Sequence, residues 1–340
     1  MISSIINPRS TFGSVWLDKL QGALQGERFL KMTAGLSRNL LIPLIAIAVF
    51  LAIWGAGAAK VDTSLGQLPG PGKVWEQTVQ LYKEHKAERE KETAFYERQE
   101  QRNAERMKVD PNYEPKVRPY TGKPTFFDQI ITSLLTVATG FFIASLIAIP
   151  IGIVCGMSAT LYQALNPLIQ IFKPVSPLAW LPLVTMVVSA VYVSDDPMFA
   201  KSFVTSAITV TLCCLWPTII NTTVGVSSVD KDLLNVSRVL RLGWFTKTVK
   251  IILPSATPMM FTGLRLSLGI GWMVLIAAEM LAQNPGLGKF VWDEFQNGSS
   301  DSLARIMVAV LVIGLIGFLL DRVMLMLQKR VTWDRNAILR

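Results

Sequence analysis

The sequence predicts an all-α membrane protein with about six transmembrane helices. Hydrophobic residues make up 51% of the 340 residues and charged residues only 17%, a balance too apolar for an ordinary soluble domain. The apolar residues are also clustered into segments that can cross, or nearly cross, about 30 Å of hydrocarbon at about 1.5 Å per residue. These predicted spans are residues 40–59, 130–155, 178–193, 203–220, 259–282 and 303–320. The third is the shortest and needs a local adjustment of the bilayer.

Residues 1–39 are predicted to form a cytoplasmic amphipathic segment. Trp16, Leu20 and Leu24 share one helical face and charged residues occupy the rest. That pattern is typical of a helix lying on a membrane surface. The segment is too long for the basic region of a cleaved signal peptide. Residues 40–59 are therefore expected to remain as the first transmembrane helix.

Residues 60–124 are predicted to form a charged, extracytoplasmic helical insertion. Prolines and glycines at 69–72 break the chain, and a helix is predicted over residues 73–107. Glutamates precede arginines along this helix, which is the order that complements the helix dipole. A solvated charged face is the simpler interpretation, and a docking surface for an external partner is the alternative.

Residues 125–321 are predicted to form a core with five transmembrane helices, followed by a cytoplasmic tail at 322–340. Prolines recur in this core, including Pro182 in the third predicted span and Pro217 in the fourth. Helix breaks at membrane depth are tolerated where backbone lines a cavity or packs against protein. Kinked helices around a pathway are more typical of a transporter than of a static anchor.

Lysine and arginine residues indicate which loops face the cytoplasm. They are dense before the first span, after the fourth span and in the tail, whereas the loops after the third and fifth spans carry only Lys201 and Lys289. Both termini and the loop containing residues 235–254 are therefore predicted to be cytoplasmic. The net charge of +9 reflects this bias, so no nucleic-acid partner is expected.

Catalytic and metal-binding chemistry has little support in the sequence. His85 is the only histidine, and the three cysteines lie in predicted spans without metal-ligand spacing. The sequence contains no G-x4-G-K-[ST] phosphate loop, so the chain is not expected to hydrolyse ATP or to hold a cofactor. A membrane-embedded enzyme, which would need a cluster of His, Asp and Glu, is disfavoured.

The cytoplasmic loop carries the most informative motif. Asn-Val-Ser at 235–237 is followed after three residues by Arg241, and after nine more by I-x-L-P at 251–254. This frame resembles the E-A-A-x3-G-x9-I-x-L-P signature of ABC importer permeases, although the Glu, Ala, Ala and Gly are replaced. An ordinary amphipathic loop helix is the alternative interpretation.

Further runs extend the resemblance over about residues 125–333. The run at 261–281, FTGLRLSLGIGWMVLIAAEML, looks like that of nitrate, sulfonate, taurine and bicarbonate permeases. NVSRVLRL at 235–242, GLGKFVWDEF at 286–295 and LDR at 320–322 look most like nitrate permeases. The insertion is longer than expected for that branch, so the resemblance implies no role for it.

The resemblance implies a type I ABC importer permease of a bacterial inner membrane, with nitrate as its substrate. It also implies cytoplasmic ATPase subunits that bind ATP and Mg, an external substrate-binding protein, a permease homodimer and a small anion substrate. Bicarbonate, cyanate, taurine or another sulfonate is the alternative substrate. A secondary anion carrier is the alternative class, but it would need an internal repeat and ion-coupling carboxylates, and Glu279 is the only acid well within a span.

The resemblance implies that residues 231–245 form a coupling helix lying in a groove of the ATPase. Apolar side chains would be buried there and charged ones would set the register, with Leu240 and Arg241 at the centre of the contact. The residues assigned to coupling are Asp232, Asn235, Val236, Ser237, Arg238, Leu240, Arg241 and Gly243.

Arg265 and Glu279 are the ionisable residues inside the fifth predicted span. A charge within a membrane is costly, so it usually faces the bundle interior or a wet cavity. Arg265 is a candidate for attracting an anion or for a structural ion pair. Glu279 is a pathway candidate for which a structural hydrogen bond is favoured. The polar residues that could line the pathway are Thr185, Ser189, Thr209, Thr211 and Asn221.

Overall fold

The computed structural model describes residues 41–63, 66–110, 113–193, 198–299 and 301–331, and most of these residues are α-helical. Among them, five helices are long and apolar enough to cross a membrane, and a bent pair of helices makes a sixth candidate. The predicted class and the count of about six spans are therefore confirmed. The predicted amphipathic segment at 1–39 and the tail beyond residue 331 lie outside the described residues.

The first compact unit ends at Pro71, and its described part contains one helix and a small hairpin. Helix α1 spans Leu41–Ala58, where the sequence predicted the first transmembrane helix, and only 6% of it is buried. Strands β1 (Asp62–Thr63) and β2 (Gly66–Gln67) pair in antiparallel fashion. Gly66 has a φ of 113°, which glycine adopts without the steric cost of a side chain. The sequence did not predict this hairpin.

The second compact unit begins at Gly72 and holds the other helices. In chain order they are α2 (Pro71–Val109), α3 (Phe126–Met157), α4 (Ala159–Phe172), α5 (Pro177–Val191), α6 (Lys201–Ser227), α7 (Lys231–Val239), α8 (Trp244–Lys247), α9 (Leu253–Ala282), α10 (Leu287–Asn297) and α11 (Ser302–Val331). A π-helical turn, Thr248–Ile252, joins α8 to α9. The predicted spans after the first correspond to α3, α5, α6, α9 and α11.

Close packing of α3, α6 and α9 forms the centre of the second unit. A side chain at Gly140 of α3 would lie 2.7 Å from the carbonyl oxygen of Ala207, and one at Gly152 would lie 2.6 Å from Cβ of Thr222. Small residues at helix contacts are typical of membrane proteins, because lipid supplies little hydrophobic driving force between helices. Thr211 of α6 also donates a hydrogen bond to the Gly140 carbonyl oxygen at 3.1 Å.

The third predicted span differs from its prediction. The sequence placed a single span at 178–193, but α4 and α5 form a helix pair bent by 99°, which is either a broken span or a re-entrant loop. Pro174 and Pro177 lie in and just after the break, and proline cannot donate the backbone hydrogen bond that a continuous helix needs. The hydroxyl of Ser176 accepts a hydrogen bond from the backbone of Leu178 at 3.3 Å, which caps the start of α5.

Helix α2 confirms the predicted helix at 73–107, and its first half is anchored to the transmembrane helices. Arg305 of α11 donates to the carboxylate of Glu84 and, at 3.3 Å, to that of Glu294 in α10. The guanidinium of Arg89 lies 3.0 Å from the carboxylate of Asp128 at the start of α3. This half of α2 is therefore more than a solvated charged face.

The segment after α2 runs back along the helix. The side-chain amide of Gln99 accepts from the backbone N–H of Arg118 at 2.8 Å and donates to its carbonyl oxygen at 3.2 Å. The Tyr120 hydroxyl donates to the carboxylate of Glu88 at 2.7 Å, and this hydrogen bond lowers the pKa of Glu88. The insertion thus consists of a long helix and an extended return segment held to it by side-chain hydrogen bonds.

Candidate functional site

Helix α7 lies in the segment that the sequence predicts to be the coupling element. A cap at its start and the packing of one apolar side chain hold it in place. Asp230 accepts a hydrogen bond from the backbone N–H of Asp232 at 2.9 Å and so caps the helix. Leu234 packs on an apolar cluster at the ends of α3, α6 and α9. The buried members of that cluster are Ile153, Val226, Val229, Ile252, Ala256 and Met260. Leu234 thus attaches α7 to a cluster that is built from residues of three long helices.

The coupling segment turns sharply at Arg241, which has a φ of 47°. The Leu242 N–H donates to the Ser237 carbonyl oxygen and the Arg241 N–H donates to that of Arg238, both at 3.0 Å. This pair of hydrogen bonds forms a Schellman motif, in which a left-handed residue ends a helix. The prediction of one helix over 231–245 is therefore wrong. The permease frame has glycine at this position, and glycine adopts positive φ without steric cost.

Exposed apolar side chains cover the outer surface of the coupling segment. Val239 is 82% exposed and Phe245 is 72% exposed. Large exposed apolar patches rimmed by charge commonly mark interaction surfaces. This coupling patch comprises Leu233, Val236, Val239, Leu240, Trp244 and Phe245. Asp232, Asn235, Val236, Val239 and Leu240 line a shallow depression within it.

Most of the predicted coupling residues lie on the exposed surface of this segment. Ser237 is the exception, because it is 2% exposed and its hydroxyl donates to the Leu234 carbonyl oxygen at 2.6 Å. It supports the end of α7 from within. The exposed predicted residues are Asp232, Asn235, Val236, Arg238, Leu240, Arg241 and Gly243.

The I-x-L-P sequence joins the coupling segment to α9. Pro254 cannot donate a backbone hydrogen bond, and the π-helical turn directly before it lets the Leu253 N–H donate to the Thr248 carbonyl oxygen. Ile252, only 2% exposed, is buried in the same cluster that anchors Leu234. The motif therefore fixes the coupling segment to the first turn of a transmembrane helix.

Arg265 of α9 forms a two-pronged ion pair with Asp321 of α11. Its Nε lies 3.0 Å from Oδ1 and its Nη2 lies 3.1 Å from Oδ2 of the carboxylate. The fork matches a carboxylate geometrically and ties α9 to α11. The sequence allowed two roles for Arg265, a structural ion pair or the attraction of an anion. The contact with Asp321 is a structural ion pair. The Arg265 side chain keeps 23% of its surface exposed.

Glu279 of α9 is completely buried, and its carboxyl group is hydrogen-bonded to residues of α3 and α10. The Ser133 hydroxyl of α3 lies 2.9 and 2.8 Å from its two carboxyl oxygens, and the Gly288 N–H of α10 donates to Oε2 at 2.9 Å. Ser133 in turn accepts from the Leu287 N–H at 2.9 Å. Glu279 therefore makes the structural hydrogen bonds that the sequence favoured.

Two glycines make room for this carboxyl group. A Cβ at Gly286 would lie 2.1 Å from Oε1 of Glu279, and one at Gly288 would lie 2.1 Å from the Ile276 carbonyl oxygen. The Gly-Leu-Gly sequence at 286–288 is thus required for α10 to begin directly against α9. The sequence analysis identified the run at 286–295 but did not identify Ser133 as a partner of Glu279. The one feature of the sequence that marks Ser133 is a hydroxyl group within an apolar segment.

The polar side chains predicted to line a pathway have different environments. Thr185 and Ser189 are exposed on α5, and Asn221 is partly buried on α6. Thr209 is completely buried and donates to the Thr205 carbonyl oxygen at 2.8 Å, so it packs inside the subunit. Among the described residues, the hydrogen-bond partner of Arg265 is Asp321 and none of these four side chains, and their role in a pathway stays a prediction.

No group of three or more His, Cys, Asp and Glu residues in the described ranges is arranged to hold a metal ion. The three cysteines, Cys155, Cys213 and Cys214, are buried and unpaired with one another. The described residues thus present an exposed apolar patch on the coupling segment and the ionisable residues Arg265 and Glu279 paired within the helix bundle.

Comparison with known proteins bears on both features. The family described as "binding-protein-dependent transport system inner membrane component" matches residues 148–333, which contain the coupling segment, Arg265 and Glu279. A nitrate import permease protein NrtB of a Synechocystis species is 32% identical over 87% of this chain and 90% of its own length. A bicarbonate transport system permease protein CmpB of Synechococcus elongatus is 34% identical over 86% of this chain and 89% of its own.

Two further comparisons cover less of this chain. The taurine transport system permease protein TauC of Escherichia coli is 32% identical over 61% of this chain and 70% of its own length. A chain of the inward-facing MetNI methionine ABC transporter is 13% identical, with a TM-score of 0.53 over 61% of this chain and 96% of that one. That likeness covers nearly the whole of the solved chain and supports the predicted fold.

Proposed function

The chain belongs to the family of binding-protein-dependent transport system inner membrane components, and we propose that it imports nitrate as the permease subunit of an ABC importer. The membership rests on the match over residues 148–333 and on relatives aligned with 86–87% of this chain. Nitrate is favoured by the similarity to NrtB and by the runs at 235–242, 286–295 and 320–322. A multi-pass location in the inner membrane follows from the family and the apolar helices.

The proposed complex contains a second copy of this chain, two ATPase subunits and an external binding protein. ATP and Mg would bind to the ATPases, and this chain would hold neither. The charge distribution supports cytoplasmic termini and a cytoplasmic coupling segment, which would place α10 and the insertion at the external side.

The observation that carries the coupling role is the exposed apolar patch fixed to α9. Leu240 is 62% exposed and Trp244 is 61% exposed, while Leu234 on the other side of α7 packs on the buried cluster. An ATPase subunit bound to the exposed patch would also move the buried side of α7, which carries Leu234. Through Ile252 the movement reaches α9, and through the Arg265–Asp321 pair it reaches α11. ATP-driven closure of the ATPases would thereby reorient the helices around a central pathway.

Uptake of labelled nitrate into proteoliposomes tests the proposal. The reconstituted complex, with ATP inside and loaded binding protein outside, should accumulate nitrate, and excess bicarbonate or taurine should leave that uptake unchanged. Accumulation without ATP would instead indicate a secondary carrier. Uptake of labelled bicarbonate, blocked only by bicarbonate, would assign the bicarbonate alternative that the similarity to CmpB favours.

A further inference from the structure

The first half of α2 carries an exposed stripe of aromatic and apolar side chains. This α2 stripe consists of Trp75, Val79 and Tyr82, whose spacing of four and three residues places them on one face of the helix. Trp75 is 71% exposed and Tyr82 is 59% exposed. The stripe belongs to the insertion, so the coupling segment does not account for it. Contiguous exposed apolar surface commonly marks an interaction site.

The α2 stripe lies between two other faces of the helix. Val74 and Leu81, seven residues apart, are almost completely buried and form the face that packs into the protein. Glu76, Gln80 and Lys83 repeat the spacing of the stripe one residue later and form an exposed polar face. Helix α2 therefore presents a buried face, an apolar exposed face and a polar exposed face. An exposed helix that separates apolar from polar side chains in this way suits the boundary between a membrane and water.

Contacts of α2 place the stripe beside the first turns of two candidate membrane spans. Arg305, in the first turn of α11, donates to the side chain of Gln77 at 3.3 Å and to that of Glu84. Nδ1 of His85 lies 2.7 Å from the hydroxyl of Thr125, the residue that caps α3. These contacts cover most of the length of the stripe. Because charged groups are costly in hydrocarbon, this level of the protein lies at the lipid headgroups.

The α2 stripe also continues an exposed apolar face of α3. The ring of Tyr82 meets the ring of Phe127 edge-on, with centroids 6.2 Å apart. Ile131 and Leu135 follow Phe127 at intervals of four residues, so they share its face of α3, and both are exposed. Helix α3 is long and apolar enough to cross a membrane. One exposed apolar surface therefore extends from a membrane span onto α2.

The residue types in and after the stripe match the interface between lipid and water. Tryptophan and tyrosine are enriched at that level, because each has an apolar ring and a polar group. Lys86 follows Tyr82 by four residues, and its side chain is 71% exposed. A lysine at such a position can lay its alkyl chain along apolar surface and extend its amine to a lipid phosphate.

We propose that residues 75–86 of α2 form a lipid-binding surface in the headgroup region of the bilayer. The rings of Trp75 and Tyr82 lie among the headgroups, Val79 meets the upper part of the acyl chains, and Lys86 donates to a phosphate. The occupant of the α2 stripe is therefore the membrane itself.

The consequence is a fixed orientation for the insertion. Lipid contacts hold one face of α2, and the ion pair of Arg89 with Asp128 holds it to the start of α3. Beyond Arg89 the helix runs on to Val109, a distance of about 30 Å at about 1.5 Å per residue. The anchored half thus sets the angle at which this charged second half leaves the bilayer.

A fluorophore on an introduced cysteine tests the surroundings of the stripe. The three cysteines of the chain are buried, so bimane labels a cysteine placed on the surface of α2. Val79→Cys puts the label on the stripe, and Gln80→Cys puts it on the neighbouring polar face as the matched control. The full-length protein is reconstituted in vesicles of phosphatidylcholine and phosphatidylglycerol.

Two quenchers then compare lipid with water. A phospholipid with a nitroxide on its headgroup should quench the label at position 79 about twofold or more as strongly as the label at position 80. Iodide, present on both sides of the membrane, should show the reverse preference. Both labelled positions are exposed and adjacent, so the comparison does not depend on a change in folding.

A second pair of variants tests the anchoring side chains. Trp75→Gln combined with Tyr82→Gln, added to Val79→Cys, should lower quenching by the nitroxide lipid by about half or more, because the stripe loses its interfacial rings. Glu76→Gln combined with Lys83→Gln changes two residues of the polar face and should leave that quenching unchanged.

Three results would overturn the proposal. Equal quenching of positions 79 and 80 by the nitroxide lipid would show that the stripe does not face the membrane. Iodide quenching as strong at position 79 as at position 80 would show that it is solvated. Protection of position 79 from both quenchers, with disulfide formation between Val79→Cys residues of two copies, would assign the stripe to contact with a second copy.

Discussion

Replacing Ser133 by alanine should destabilise the protein far more than the loss of one oxygen atom suggests. The Ser133 hydroxyl links Glu279 of α9 to the Leu287 N–H at the start of α10. The substitution removes a hydrogen bond to a buried carboxyl group and leaves a buried N–H without an acceptor. Each change costs about 1–3 kcal/mol, so the free energy of unfolding should fall by about 2–6 kcal/mol.

Equilibrium unfolding of the purified protein in lipid–detergent micelles measures this change. Ser145→Ala is the matched control, because it lies in the same helix and its hydroxyl donates only to the Phe141 carbonyl oxygen of its own helix at 2.7 Å. That control should stay within about 0.5 kcal/mol of the wild type, since it orphans no buried group. If Ser133→Ala were as stable as Ser145→Ala, the hydrogen bonds of Ser133 would not hold α3, α9 and α10 together.

Two further predictions concern the same helices. Arg265→Gln should lower the unfolding free energy by roughly 1–3 kcal/mol by leaving Asp321 unpaired, and adding Asp321→Asn should restore stability. If the restored double variant transports normally, Arg265 is structural; if it folds but does not transport, Arg265 attracts the anion. Gly288→Ala should destabilise more than Gly269→Ala, because the new methyl group would meet the Ile276 carbonyl oxygen at 2.1 Å while Gly269 has open space. Thermal unfolding midpoints of the two alanine variants compare them, and equal midpoints would contradict the close approach of α10.

Much of the fold follows from local patterns in the sequence. Long apolar runs specify α1, α3, α6, α9 and α11, because hydrocarbon thickness sets the length of a spanning helix. The charge order of the insertion similarly indicates α2. The bend between α4 and α5 was harder to predict, because proline marks where a helix breaks without fixing the angle between its parts.

The coupling segment and the hydrogen bonds of Glu279 were only partly predictable, because they depend on backbone conformation and on contacts between distant residues. The I-x-L-P spacing located the coupling segment, but the turn at Arg241 was missed because arginine rarely adopts positive φ. The glycine of the permease frame was the available signal. Ser133 and Glu279 are 146 residues apart, so their contact depends on tertiary packing that no local pattern reports.

ATP-driven nitrate uptake by a coupling-patch variant tests the central claim most directly. Leu240→Asp combined with Arg241→Glu places acid on the exposed surface of the patch while Leu234 keeps its buried contacts. Val117→Asp combined with Arg118→Glu likewise replaces an exposed apolar residue and an exposed arginine with acids, but in the insertion, and serves as the control. With equal amounts of each inserted permease, uptake should be abolished in the first variant and retained in the control. Uptake at the wild-type rate in the Leu240/Arg241 variant would contradict coupling through this segment.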